Sequence, residues 1–468
     1  MRIRILGQYV PVSLGVLALI EALLAFLALY AAVLIRFQTR ITHLRNLEQE
    51  LGPLWPRALV FSVIVSICLL AFGLYSSRLR TQLAGVFVRV VAALIMTSAA
   101  MAAVFYLVPS LHLWRGVAAL AVTLAGWAVL GSRLVFIRAV DQEIFKRRIL
   151  VYGAGASAAA VANLRRSVDR RGFLLAGFVR PSGEDPIVPV SRLLEPAGDL
   201  RGLCERIGVS EVVVAMDDRR RGFPIRELLE CRLAGVDVTE LLTFLERETG
   251  RVRVDVLNPS WMIFGQGFRR DPLRLFSSRA MDMLASIGVL AVSLPAMLIT
   301  LLAIKIEDGW AAPAFYRQTR VGLGGRTFNV LKFRSMRPDA ELNGAQWAQR
   351  RDPRVTRVGA IIRKLRVDEL PQIFNVLRGQ MSFVGPRPER PEFVAHLAER
   401  IPYYVQRHCV KPGITGWAQL CYPYGSSEQD ALEKLQYDLY YIKNNSLLFD
   451  LAILVQTAEV VLLGKGAR

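Results

Sequence analysis

One acidic pair, Asp368-Glu369, stands among closely spaced cations in the segment Arg363–Gln372 (RKLRVDELPQ). Further basic clusters surround it along the chain: Tyr316–Gly322 (YRQTRVG), Lys332–Met336 (KFRSM), Arg351–Arg354 (RDPR) and Met381–Glu389 (MSFVGPRPE). Most combine cations with Gly or Pro, which suits a rigid backbone gripping phosphate oxygens. In a plain anion-binding surface an adjacent acid pair would weaken binding. Between Arg366 and a proline-anchored turn, the pair suits a carboxylate nucleophile or a metal ligand flanked by cations. Spacing alone equally allows an ordinary Asp-Glu pair on a helix face.

The whole chain carries 59 Lys and Arg against 39 Asp and Glu, a formal charge of +20 over 468 residues, and 53% of it is hydrophobic. That apolar content excludes intrinsic disorder. The positive charge calls for nucleic acid, a membrane surface or phosphorylated substrates. Nucleic acid drops out, because no helix-turn-helix, zinc-finger or RNP signature occurs. Five cysteines, odd in number and without a CxxC pair, argue against a disulfide framework or zinc site and for a reducing cytoplasm.

The elements that must position this chemistry begin with a membrane-like domain, residues 1–140. Four apolar stretches, about Val10–Ile35, Leu54–Tyr75, Leu83–Val108 and Leu111–Ile137, each reach the ~20 residues a spanning helix needs. They predict a four-helix transmembrane bundle. Glu21 and Arg89, deep in these stretches, are expected to pair within the bundle or face a polar groove. Arg2 and Arg4, Arg78 and Arg80, and Arg138 with Lys146–Arg148 belong inside by the Lys/Arg rule, with Arg36, Arg40 and Arg45 in mild conflict. Everything after residue 140 is then cytoplasmic.

Residues 147–258 alternate strand runs (Arg148–Tyr152, Leu174–Val179, Glu211–Ala215, Asp237–Thr239) with helical patterns (Leu200–Ile207, Pro224–Ala234), predicting a Rossmann-like, CoA-binding-like α/β domain with a parallel sheet. Gly153, Gly155 and Ala158 follow its first strand as in a dinucleotide turn. The acid expected about twenty residues on is missing, since the second strand ends Phe178-Val179-Arg180-Pro181. A structural or regulatory domain is the favoured reading and a nucleotide site the other. A linker, 259–278, carries Trp261, Phe264, Phe268, Arg269 and Arg270. A fifth apolar run, Met283–Ile304, holds Ser293 and Pro295 near its middle and is basic on both flanks. A full span would carry the basic remainder out of the cell. A helix–break–helix at Ser293 and Pro295, re-entering the leaflet it came from, is the expectation.

From Arg274 onward the chain resembles the bacterial sugar transferase family, the monotopic polyprenyl-phosphate hexose-1-phosphate transferases. The resemblance rests on Tyr316–Gly322, Lys332–Met336, Leu365–Gln372, Asn375–Gly379 (NVLRG), Met381–Pro388 and Lys411–Gln419 (KPGITGWAQ). The four spans and the α/β domain are similar to long-form members. The tail, Tyr422–Gly425, Tyr437–Ile442 and Gly464–Arg468, is similar to the exopolysaccharide (EpsB-like, PEP-CTERM-associated) subgroup. Cys421–Tyr424 stands where many members carry Asn-Gly-Arg, which leaves sugar choice open.

The resemblance implies a mainly α catalytic domain at 279–468 with a re-entrant membrane hairpin at 283–304. It implies transfer of hexose 1-phosphate from a UDP-sugar to polyprenyl (undecaprenyl) phosphate, with release of UMP, starting exopolysaccharide synthesis at the cytoplasmic face of the bacterial inner membrane. Asp368 would be the nucleophile of an aspartyl phosphosugar intermediate. Glu369 would hold Mg2+, with Asp368, or manage the proton of the acceptor phosphate. Arg363 and Arg387 are the first candidates for phosphate clamps, then Lys332 and Arg334, because a carboxylate attacking a diphosphate needs its charge neutralised. Trp417, Gln419 and Tyr422 are candidates for uridine binding, and the tryptophan and tyrosines equally for the lipid interface. A homodimer is compatible with the extra domains. Two other functions compete: a membrane scaffold or sensor binding nucleotide and anionic lipid, and a nucleotide-sugar dehydratase working through the Gly153 loop.

Overall fold

Leu-, Val- and Ala-rich runs without internal proline favour helix, and in lipid only helices or closed barrels satisfy every backbone group. A computed structural model realises this for the apolar runs. The structure describes residues 2–5, 8–37, 53–75, 83–140, 146–164, 172–195, 199–218, 220, 222–257, 272–337, 353–422, 425 and 427–462. Arg40, Arg45, Arg78, Arg80, the linker aromatics and arginines, Arg351, Asp352, Tyr424 and Gly464–Arg468 lie outside these residues. The chain forms two compact units, Met1–Asn258 and Pro259–Arg468.

In the first unit a two-stranded hairpin (β1, Arg2–Ile5; β2, Gln8–Pro11) leads into α1 (Val12–Phe37), α2 (Leu54–Ala71), α3 (Leu83–Leu107) and α4 (Arg115–Val140). Helix α1 packs on α2 and α4, and α3 packs on the same two. All four are long and apolar enough to cross a membrane. Their outer faces carry Leu19, Ile95, Tyr106 and Trp127, all largely exposed, as helices solvated by lipid do. The expected internal pairing of Glu21 is present. Arg133 Nη2 donates to Glu21 Oε2 at 2.8 Å, and Tyr75 Oη to the same oxygen at 2.5 Å. The fourth span starts later than the sequence suggests, because Pro109–Leu111 forms a separate 3-10 turn.

After this bundle, β3 (Arg147–Tyr152), β4 (Phe173–Val179), β5 (Leu193–Leu194), β6 (Glu211–Val214) and β7 (Asp237–Glu240) make one parallel sheet in the order β5-β4-β3-β6-β7. Helices α5 (Ala156–Ala162), α6 (Leu200–Ile207), α7 (Ile225–Leu233) and α8 (Leu241–Thr249) accompany it. Burial on both sheet faces explains the near-continuous apolar strands. The sequence reading missed β5, too short for a pattern, and α8.

The second unit opens with α9 (Pro272–Asp308), one helix of 37 residues with Pro295 inside. The expected division into two helices at Ser293 and Pro295 is not present. Proline removes only its own N–H, and in an apolar run a fully broken helix would leave several backbone groups unpaired. Both ends of α9 are bonded to the body that follows. Arg279 donates to Val376 O and Leu377 O, and Asp282 accepts from Ser382 Oγ and Phe383 N. At the other end Glu307 accepts from Arg357 N and Val358 N. That body holds an antiparallel pair, β8 (Phe315–Val321) and β9 (Thr327–Phe333), and a parallel pair, β10 (Ser382–Val384) and β11 (Gly413–Thr415). Helices α10 (Arg357–Lys364), α11 (Gln372–Leu377), α12 (Pro391–Arg400), α13 (Trp417–Cys421), α14 (Glu428–Asn444) and α15 (Leu447–Leu462) complete it.

Candidate active site

The acid pair sits on a 3-10 turn, Val367–Glu369, between α10 and α11. Its entry is fixed at the start of α10, where Thr356 Oγ1 accepts from Gly359 N at 2.9 Å and Glu307 accepts from the two preceding N–H groups, Arg357 and Val358. Carboxylates at a helix start satisfy orphan donors and oppose the macrodipole. After α10 the chain turns at Arg366, whose φ is +60°. A non-glycine residue there is strained by ~1–2 kcal/mol, and such strain gathers at sites that need an abrupt turn. The exit is held by Arg279 on the last carbonyls of α11. Beneath the turn, Val367, Leu370 and Phe374 pack with Met297, Ile304 and Leu301 of α9, which seats the pair directly on the apolar helix.

Asn375 ties β9 to this turn. Its Oδ1 accepts from Leu331 N at 3.0 Å, and its Nδ2 donates to Asn329 O at 2.7 Å and Gln380 Oε1 at 2.8 Å. The strand thereby presents Lys332, whose Nζ lies 2.9 Å from Glu369 Oε1. Arg387 Nη2 reaches the same oxygen at 2.9 Å. Burial alone would raise the Glu369 carboxyl, but Arg387 and Lys332 together hold it well below the usual range. Asp368 goes the other way. Burial first, then the negative charge of Glu369, raise it, and Lys332, Arg363 and Arg366 offset this only in part. Two neighbouring carboxyls with opposite shifts are the pattern of divided roles.

The turn that carries Arg387 is gripped along its backbone. Four successive carbonyls accept hydrogen bonds: Pro386 O from Gly413 N (2.9 Å), Arg387 O from Arg407 Nη2 (3.0 Å), Pro388 O from Arg320 Nη1 (3.1 Å) and Glu389 O from Val321 N (2.9 Å). Prolines at 386 and 388 fix φ, so little freedom remains to lose when Arg387 is placed. Gly385 is required by close approach. A Cβ there would lie 2.4 Å from Lys411 O.

Of the residues expected from sequence, Asp368, Glu369, Lys332 and Arg387 converge, and Arg363, in the last turn of α10, acts on Asp368 by its charge. Arg334 does not join them, because it is buried and its Nη2 lies 2.6 Å from Asp308 Oδ2, which commits it to the end of α9. Trp417 is 3% exposed and packs against Phe449 and Tyr440 at ring separations of 5.3 and 6.3 Å. It is a core residue with no free face for uridine or lipid. The Gln419 amide nitrogen is buried without a partner among the described residues. Tyr422 Oη donates to Asp430 Oδ1 at 2.8 Å. The sequence reading gave no role to Asn375, Arg320, Arg407 or Asp438. The available signal was an aspartate inside the apolar-aromatic run Tyr437–Ile442.

The glycine turn of the α/β domain, for which a nucleotide site was the less favoured reading, is occupied by the protein's own carboxylates. Asp217 accepts from Ala156 N (2.8 Å) and Ser157 N (2.7 Å), and Glu184 accepts from Ala154 N (3.2 Å) and Asp217 N (3.1 Å). A Cβ on Gly155 would lie 2.0 Å from Asp217 Oδ2. The glycine therefore admits the protein's own carboxylates into the space a pyrophosphate takes in a dinucleotide turn.

Comparison with known proteins agrees with the second unit. The family model for bacterial sugar transferases matches residues 273–464. Over 252 residues the chain is 44% identical to a UDP-N-acetylgalactosamine-undecaprenyl-phosphate N-acetylgalactosaminephosphotransferase of Aeromonas hydrophila, covering 54% of this chain and 58% of that one. It is 34% identical over 329 residues to an undecaprenyl-phosphate glucose phosphotransferase of Komagataeibacter xylinus, covering 69% of this chain and 60% of that one. It is 30% identical over 345 residues to an undecaprenyl-phosphate galactose phosphotransferase of Salmonella typhimurium, covering 69% of this chain and 70% of that one. The chain thus spans about three fifths of the length of the first two relatives. The acid pair and its two cations lie in the unit that the family model matches, and the Salmonella relative is 30% identical over 70% of its own length, so the chain belongs to the bacterial sugar transferase family.

Proposed function

We propose that this protein transfers a sugar 1-phosphate from a UDP-sugar to a polyprenyl phosphate at a membrane surface, initiating assembly of a lipid-linked exopolysaccharide. The observation that carries it is the shared grip of Lys332 and Arg387 on Glu369, beside an Asp368 whose carboxyl is in no ion pair among the described residues. In the first step an Asp368 carboxylate oxygen attacks the sugar-bearing phosphorus. The bond from that phosphorus to the bridging oxygen breaks, and UMP leaves. In the second step an oxygen of the polyprenyl phosphate attacks the same phosphorus, the bond to Asp368 breaks, and the lipid diphosphate sugar departs with the carboxylate restored. Covalent catalysis divides one displacement into two, so the two substrates need not be held in the site at the same time. Lys332 and Arg387 offset the negative charge that gathers at the diphosphate. Glu369, kept ionised, orients both cations.

The donor set fits magnesium. Among the described residues no group of three metal-type side chains exists, but Mg2+ is commonly held by one or two carboxylates together with substrate phosphates. Asp368 and Glu369 would supply those oxygens, and the ion would neutralise the diphosphate. Glu369 Oε1 already serves two cations, so its other oxygen is the one free to take part.

The membrane side follows from α9. Its apolar run exposes Leu284, Val292, Leu298 and Ile299, while its two ends bond to one folded body. Although α9 is also long and apolar enough to cross a membrane, the return of both its ends to one folded body supports anchorage along the cytoplasmic leaflet rather than a span. The acid pair then lies at headgroup depth, where a soluble sugar nucleotide and a lipid phosphate can both reach it. Cysteines placed in the second unit and probed from outside intact cells stay unlabelled on this reading, and labelling would overturn it.

The activity is tested with the full chain in nanodiscs containing undecaprenyl phosphate and Mg2+, using a panel of UDP-sugars and measuring UMP. Release with at least one UDP-sugar, abolished by Asp368→Asn with membrane insertion intact, is the expected result. No release with any UDP-sugar, or full activity in the variant, would sink the assignment and favour a scaffold.

A further inference from the structure

The Arg387 side chain bonds Glu369, while its main-chain carbonyl is held by Arg407, twenty residues away in sequence. Arg407 is 6% exposed. Its Nη1 donates to Tyr404 Oη at 2.7 Å, and its Nη2 donates both to Arg387 O at 3.0 Å and to Asp438 Oδ2 at 2.9 Å. Asp438 is 2% exposed and comes from the middle of α14. The guanidinium also lies over the Tyr404 ring, 5.2 Å from its centre.

A buried ion pair of this kind is weak evidence for stability, because desolvation of both charges consumes most of what their attraction returns. A pair of apolar side chains would fill the same space as well. What an apolar pair could not supply is a directed N–H to Arg387 O. The backbone around it is strained as well. Among the described residues only Arg366 and Tyr403 are non-glycine residues at positive φ, +60° and +63°. Arg366 immediately precedes the acid pair. Tyr403 immediately precedes the 3-10 turn Tyr404–Cys409 that carries Arg407. Such strain persists where surrounding structure holds a segment in one geometry for a purpose.

We propose that Arg407, oriented by Asp438 and Tyr404, is a positioning residue of the transferase site: by fixing the carbonyl of Arg387 it sets where the Arg387 guanidinium stands relative to Glu369 and the substrate phosphates. This rests on the transferase reading given above. Arg407 touches no reacting atom and acts only through Arg387. Its planar fork is essential, since one lysine nitrogen on a single stem cannot hold Asp438, Tyr404 and Arg387 O in the same geometry.

The test is a double-mutant cycle on the full chain in nanodiscs. Arg407→Gln combined with Asp438→Asn removes both charges together and leaves neither buried alone. Its kcat/KM for the sugar nucleotide is expected to fall about tenfold or more, with a melting temperature within a few degrees of the unsubstituted chain. In an Arg387→Ala background the same pair should change kcat/KM less than about twofold, because the residue it acts through is gone. Should the pair fail to fold, Arg407→Lys is read through the same cycle. Equal losses in both backgrounds, or no loss in either, would overturn the proposal. A structure of the variant separates this failure from failure of the transferase reading. The guanidinium of Arg387 displaced from its 2.9 Å contact with Glu369 supports the positioning role even if no UDP-sugar is turned over. An undisturbed contact contradicts it.

Discussion

Lys332 Nζ lies 2.9 Å from Glu369 Oε1, across 37 residues of sequence. That contact decides how two adjacent carboxyls share their work. Glu369 is tied to cations and stays ionised, while burial and Glu369 raise the affinity of Asp368 for a proton, and on the proposed mechanism Asp368 is the one that attacks.

The pH dependence follows from the sign of these shifts. Asp368 must be ionised to attack, and its pKa in the folded chain is raised by burial and by Glu369. Activity should be present above that value and lost as pH falls through it, so the acid limb of kcat/KM lies above the ordinary aspartate value of about 3.9. Lys332 is the foremost charge pulling Asp368 back down. Lys332→Met should therefore move the acid limb upward and lower kcat by about 10²–10³, as loss of one aimed charge does elsewhere. A pH–rate profile of UMP release checks both. An unmoved limb contradicts the assignment of the titrating group.

Trp417 sits in a motif that reads as a binding segment, yet its ring is enclosed by Tyr440 and Phe449. Trp417→Ala should remove ~3–5 kcal/mol of stability, as large-to-small changes in cores do, and Trp417→Phe much less. In Trp417→Phe the KM for the sugar nucleotide should stay within about twofold of the unsubstituted chain. Thermal melting and steady-state kinetics test the two halves separately. A many-fold rise in KM without a change in melting temperature would return the residue to the uridine site.

What sequence alone could reveal followed physical scale. The spans, the parallel sheet and the acid pair were legible because each is written in a local pattern: a long apolar run, alternating strands and helices, or adjacent unlike charges. Trp417 was ambiguous in sequence because a large aromatic in a glycine-rich motif serves a core and a stacking site equally well, and its neighbours on α14 and α15 favour the core. Lys332 and Arg334 look alike in sequence, and only the fold shows that Asp308, 26 residues before Arg334, pairs with the latter. Arg407 and Asp438 escaped notice because a buried pair joining distant segments has no sequence period. The continuous α9 shows the limit of a proline signal, which marks a lost hydrogen bond and not a broken helix.

The glycine turn of the α/β domain should not take a nucleotide. Its N–H groups are occupied by Asp217 and Glu184. Burial pushes the Asp217 carboxyl upward, but the Ser157 side chain and then Ser157 N and Ala156 N together hold it below its usual range, so it stays ionised at neutral pH and repels phosphate. Millimolar NAD, NADP or ADP should leave the melting temperature of the full chain unchanged, measured with Asp368→Asn so that the catalytic site does not turn over. A clear upward shift with any of them, lost on Gly155→Ala, would show that the carboxylates yield to a ligand.

The central claim is that Asp368 becomes covalently phosphorylated by the donor. It is tested most directly by mixing the full chain in nanodiscs free of polyprenyl phosphate with its accepted UDP-sugar, then measuring UMP and the masses of acid-quenched peptides. The mechanism predicts a burst approaching one UMP per chain. It also predicts a sugar-phosphate mass on the peptide containing Asp368, discharged when polyprenyl phosphate is added. No UMP before the acceptor is present, with an unmodified Asp368 peptide throughout, would contradict it and indicate direct transfer between the two substrates.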